Sequence, residues 1–108
     1  MSDARVQLVL CTVPDREVGQ RVARTLVDEK LAACVNVVPG LHSTYRWQGT
    51  IETADEALLL VKTTAERFAA LRDRLVALHP YELPEVIAVD VAAGSPAYLE
   101  WVVDGTRN

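Results

Sequence analysis

Glu56-Ala57-Leu58-Leu59-Leu60-Val61-Lys62-Thr63 decides how this chain folds. The run reads as a strand. A strand with one wet face alternates apolar and polar residues. Here every residue from Ala57 to Val61 is apolar, so both faces need cover. Val86-Ile87-Ala88-Val89 repeats the pattern, and in strand one both Leu8/Leu10 and Val9/Cys11 are apolar. The sheet holding these strands requires helices on one side and a second cover on the other.

Working outward, Val6–Thr12 is the first strand, rich in branched residues. Asp15 follows as a helix N-cap. Apolar residues at Val18, Val22, Ala23, Leu26, Val27 and Leu31 predict a helix from Glu17 to Leu31. Ala33–Val38 is a second strand, broken by Pro39-Gly40 and resuming over Ser43–Trp47. Gln48-Gly49 turns the chain into the return strand, Ile51-Glu52 and then Glu56–Thr63. Thr63 with Glu66 has capping-box form. Phe68, Leu71, Leu75 and Leu78 mark a second helix that Pro80 ends. Glu85–Val91 is the fourth strand, and Ser95-Pro96 opens a short last helix carrying Tyr98, Trp101 and Val102. The order βαββαβ plus a helix predicts an α+β, ferredoxin-like domain over residues 1–108, with a four-stranded antiparallel sheet and two helices on one face. The terminal helix looks too small to cover the other face, the alternative being that it folds across that face. A second copy of the same sheet is the expected cover, which makes the chain an obligate homo-oligomer of closed symmetry.

The chain has 108 residues and a net charge of −4, with Lys and Arg scattered. No basic stripe points to nucleic acid. The longest apolar run is far too short to span a bilayer. The polar opening Met1-Ser2-Asp3-Ala4-Arg5 lacks a signal core, so a cytoplasmic protein with reduced thiols is expected.

Topology places chemistry. Strand one runs parallel to helix two, so Cys11 and His79 should emerge at one end of the domain, with Tyr81, Glu82 and Glu85 entering there. A thiolate and an imidazole suit copper or zinc better than magnesium or calcium. Either residue can also be structural: a strand cysteine as a small core residue, a histidine as complement to a helix dipole. Cys34 reads as core packing, and His42 as a solvated turn residue. Asn36 needs a partner for its amide. Trp47, near the hairpin tip, is a candidate subunit anchor. Lys62 either snorkels outward or meets an anion. An enzyme on this fold that holds an anion would want an arginine cradle. Only Arg16 follows strand one closely, beside the opposing Asp15.

Several runs then resemble one family. Leu31-Ala32-Ala33-Cys34-Val35-Asn36, Pro39-Gly40, Ser43–Gly49, Leu60-Val61-Lys62-Thr63, His79–Glu85 and Tyr98-Leu99-Glu100-Trp101 are similar, in order, to the CutA family of divalent-cation tolerance proteins. The resemblance runs from about Val9 to Val102. It implies a PII-like homotrimer, cytoplasmic, without catalytic activity, that responds to copper or another divalent cation. It carries metal-ligand roles to Cys11 and His79. Some members have a second histidine where this chain has Leu78. The resemblance also implies a cleft between subunits lined by Trp47, Lys62, Tyr81 and Glu82. That cleft supports the alternative function, a PII-like signalling scaffold binding a small molecule there.

Overall fold

The structure, a computed structural model, describes residues 4–107. The polar opening Met1–Asp3 lies outside them. Seven elements follow in order: β1 (Val6–Val13), α1 (Arg16–Asp28), β2 (Cys34–Trp47), β3 (Thr50–Thr64), α2 (Ala65–Leu78), β4 (Ile87–Asp90) and α3 (Pro96–Gly105). The strands form one antiparallel sheet in the order β2-β3-β1-β4. This is the expected α+β arrangement.

The register fixes two faces. Val9, Cys11 and Val13 pair with Val61, Leu59 and Ala57. All six are buried, and they meet Val22 and Leu26 of α1 and Leu71 and Leu75 of α2. Helix α1 lies close to the sheet because Gly19 has no side chain. A Cβ there would sit 3.0 Å from Val37 Cγ1 and 3.3 Å from Leu59 Cδ2.

Alternation sends the neighbours to the opposite face. Leu8, Leu10 and Thr12 pair there with Lys62, Leu60 and Leu58, and with Val89 and Ile87 of β4. Helix α3 touches β1 and β3, buries Val102, and sets Tyr98 beside Cys34. It closes only the end of this face near Cys34. Ile87 remains 52% exposed and Val89 49%. An apolar sheet face open within one chain is what the unbroken apolar strands imply.

Four local details differ from the sequence expectation. Helix α1 stops at Asp28 because Lys30 takes φ 59°. The Leu31 N–H then bonds Leu26 O and the Lys30 N–H bonds Val27 O, a Schellman ending that folds Leu31 back onto the core. Strand β2 runs through Pro39-Gly40, where the register shifts between Val38 and Leu41 and Gly40 has φ 83°. Proline is tolerated there because β2 is an edge strand. The N-cap of α2 is Thr64, not Thr63, and its side chain makes no capping bond; the Thr63 hydroxyl instead donates to Leu31 O. Strand β4 is only four residues long.

Strands β2 and β3 outlast β1. Beyond Ala57 they pair only with each other, forming a two-stranded arm that ends in a turn at Gln48 (φ 50°) and Gly49 (φ 82°). Two left-handed residues match the twist of an antiparallel hairpin.

Candidate functional site

Strand β1 and helix α2 do end together. His79 follows the last residue of α2, and its Nε2 lies 2.7 Å from Thr12 O, the residue after Cys11. A carbonyl can only accept, so Nε2 carries the hydrogen and donates. The Tyr81 backbone N–H donates to Nδ1 at 3.1 Å, so that nitrogen accepts. The ring is a neutral Nε2–H tautomer with both nitrogens engaged, and it packs on the Tyr81 ring at 4.6 Å. Cys11 is fully buried on the helix-facing side of the sheet. Burial first, then the charges of Glu85 and Glu56, pushes its thiol up to about 12. Neutral pH therefore finds it protonated. As folded, the two residues offer a metal neither a thiolate nor a vacant ring nitrogen. No group of three or more His, Cys, Asp or Glu placed to hold a metal occurs among the described residues.

Beside this pair opens a cleft of about 910 Å³ between the arm and the loop after α2. The arm supplies Tyr45, Arg46, Trp47 and Glu56; the loop supplies Tyr81, Glu82 and Glu85. Ser43, Tyr45 and Trp47 alternate onto one face of β2, which is why they share a wall. Their β3 neighbours Ala54 and Glu56 continue the face of Leu58 and Leu60, so the cleft merges with the open sheet face. The Tyr81 hydroxyl donates to Glu56 Oε2 at 2.7 Å. Burial and that carboxylate raise the phenol above its ordinary range.

Residues 7–105 match the family described as CutA1 divalent ion tolerance protein. This chain belongs to that family. The divalent-cation tolerance protein CutA of Thermus thermophilus is 52% identical over 100 residues, covering 93% of this chain and 97% of that protein. The chloroplastic protein CutA of Arabidopsis thaliana is 46% identical over 94% of this chain, which spans 56% of that longer protein. Among solved structures, CutA from Xylella fastidiosa superposes with a TM-score of 0.93 at 50% identity, covering 95% of this chain and 99% of that one. A periplasmic divalent cation tolerance protein CutA from Archaeoglobus fulgidus gives 0.91 at 36% identity, with 94% and 99% covered.

In this CutA1 chain Trp47, Tyr81 and Glu82 share the cleft, whereas Lys62 does not line it. Lys62 is six residues along β3 from Glu56, roughly 20 Å at the rise of a strand. Its ammonium donates to Asn36 Oδ1 on β2; Asn36 is exposed, so its amide does not carry the burial cost expected from its apolar neighbours. Cys34, expected in the core, is half-buried on the open face. His42 is exposed on the arm, with Nδ1 2.8 Å from Asp55 Oδ1. Both cysteines are free. Sequence reasoning missed Tyr45, Arg46 and Glu56 as cleft residues; the alternation from Trp47 back to Tyr45 was the available signal. No helix among the described residues is long and apolar enough to cross a membrane.

Proposed function

We propose that this chain works as a cytoplasmic homotrimer in the response to divalent metal ions, binding copper or another divalent cation at Cys11 and His79 without catalysing a reaction. The supporting observation is the His79–Thr12 contact, which brings an imidazole to the strand residue beside Cys11 in a divalent-ion tolerance family. Ligation requires the Tyr81 N–H to release Nδ1 and the Cys11 thiol to lose its proton. Metal uptake should therefore release protons and strengthen as pH rises. Soft sulfur and imidazole donors favour copper over hard cations. The open face of Leu8, Leu10, Leu58, Leu60, Ile87 and Val89 supports self-association, and the number three rests on the PII-like resemblance. Copper titration of wild type against Cys11→Ser and His79→Gln tests the ligand pair. Both variants should bind more weakly. Unchanged affinity and stoichiometry in both would refute it.

The cleft favours a second reading, a scaffold that binds a small molecule between subunits. Its volume lies in the range of small-ligand pockets. A thermal-shift screen with metabolites tests this, since a ligand stabilises only the state it binds. A broad panel without a hit argues against it.

A further inference from the structure

We propose that the cleft is a site for a small organic cation, a primary ammonium or guanidinium group on a short aliphatic chain. The inference rests on the small-molecule reading of the cleft and specifies its ligand. Three rings, Tyr45, Trp47 and Tyr81, line the cavity together with three carboxylates, Glu56, Glu82 and Glu85. Aromatic faces attract cations through the negative charge of the π-system, and tryptophan does so best. The carboxylates add charge complementarity. Among the described residues Arg46 is the one cation in the wall, and its Nη1 donates to Gly49 O at 3.3 Å. An anionic ligand would meet three like charges against that one guanidinium.

The arrangement also distinguishes an organic cation from a metal ion. A metal needs several donors converging on one point, and no such group of three exists among the described residues. An extended cation needs dispersed carboxylates and flat apolar walls, which Pro80 and Leu83 extend. Glu56 is already oriented by the Tyr81 hydroxyl.

Trp47 provides the readout. The chain has two tryptophans, and Trp101 lies on α3, where Trp101→Phe keeps an aromatic partner for Tyr98. In that background, at a concentration where the protein is assembled, Trp47 fluorescence is followed while agmatine, butane-1,4-diol or succinate is added. Agmatine should give a saturable change that salt weakens, and the neutral and anionic probes should not. Glu82→Gln with Glu85→Gln, both at exposed positions, should weaken agmatine by about tenfold or more. An equal response to the diol, or unchanged affinity in the double variant, overturns the cation assignment. Saturation by succinate or the diol alone overturns it and leaves the small-molecule cleft standing. Silence from all three probes, with Trp47 already shielded by a second copy of the chain, overturns both.

Discussion

Replacing His79 by alanine should destabilise the protein with no metal present. The ring is 8% exposed and joins two segments. It donates to Thr12 O at the end of β1 and accepts from the Tyr81 N–H at the start of the loop. Removing it orphans a carbonyl and an amide. Each costs about 1–3 kcal/mol where water cannot reach. The half-buried Tyr81 lets water re-satisfy part of that, so the combined loss is about 2–4 kcal/mol. For a chain of this length each ~1 kcal/mol lowers Tm by about 4–8 °C, so a fall of about 8–30 °C is expected. The assay is thermal unfolding after chelator treatment, at one fixed protomer concentration because assembly makes Tm concentration-dependent. Glutamine, which keeps a donor for Thr12 O, should recover part of the loss. A His79→Ala melt matching wild type in the absence of metal would show that the two hydrogen bonds contribute nothing, and that the histidine is held for ligation alone.

Four further outcomes follow from the packing. Gly19→Ala should cost about 1 kcal/mol net in urea unfolding: the added methyl presses on Val37, Leu59 and Val13, and the better helix propensity only partly offsets the overpacking. A gain in stability would mean that the helix can lift from the sheet freely. Cys11 holds its proton longer in the folded chain than in the unfolded one. Its contribution is therefore complete below the ordinary thiol range and lost as pH climbs toward about 12. Stability measured across that window should fall more steeply in wild type than in Cys11→Ala; parallel slopes would contradict the burial argument. At pH 8 iodoacetamide should leave Cys11 unmodified in the native protein and modify it in denaturant, as mass spectrometry of peptides will report. Ile87→Glu should push assembled protein toward single chains. It gives up the roughly 1 kcal/mol per chain available from covering the exposed half of that side chain, and it adds a charge that cannot be buried cheaply. An unchanged sedimentation profile would remove Ile87 from any interface.

The strands apolar on both faces were readable from sequence because their unbroken apolar runs lack the alternation of a strand with one wet face. The same-end placement of Cys11 and the residue after α2 followed from strand direction alone, and the Thr12–His79 bond bears it out. The engagement of both ring nitrogens was not readable. It depends on the loop turning the Tyr81 amide back onto Nδ1, a tertiary detail with no local signature. Pro39-Gly40 looked like a break because proline cannot donate to a ladder; an edge strand with a bulge removes that objection. The end of α1 was misplaced since Lys30 adopts the left-handed conformation usually given to glycine. Leu31 stayed on the apolar stripe in sequence while leaving the helix in space. Trp47, Tyr81 and Glu82, grouped from motif as the lining of a cleft between subunits, line one cleft within the chain. Within one chain the length of β3 sets Lys62 about 20 Å from Glu56, so its expected place in a cleft between subunits would draw on a second copy.

Sedimentation equilibrium of the wild-type chain at micromolar concentration tests the account at its root. The open face of Leu10, Leu60, Ile87 and Val89 should hold copies together, giving a mass three times the 11.9 kDa of one chain. A mass of one chain would mean that this apolar face meets water unaided, contradicting the proposed assembly.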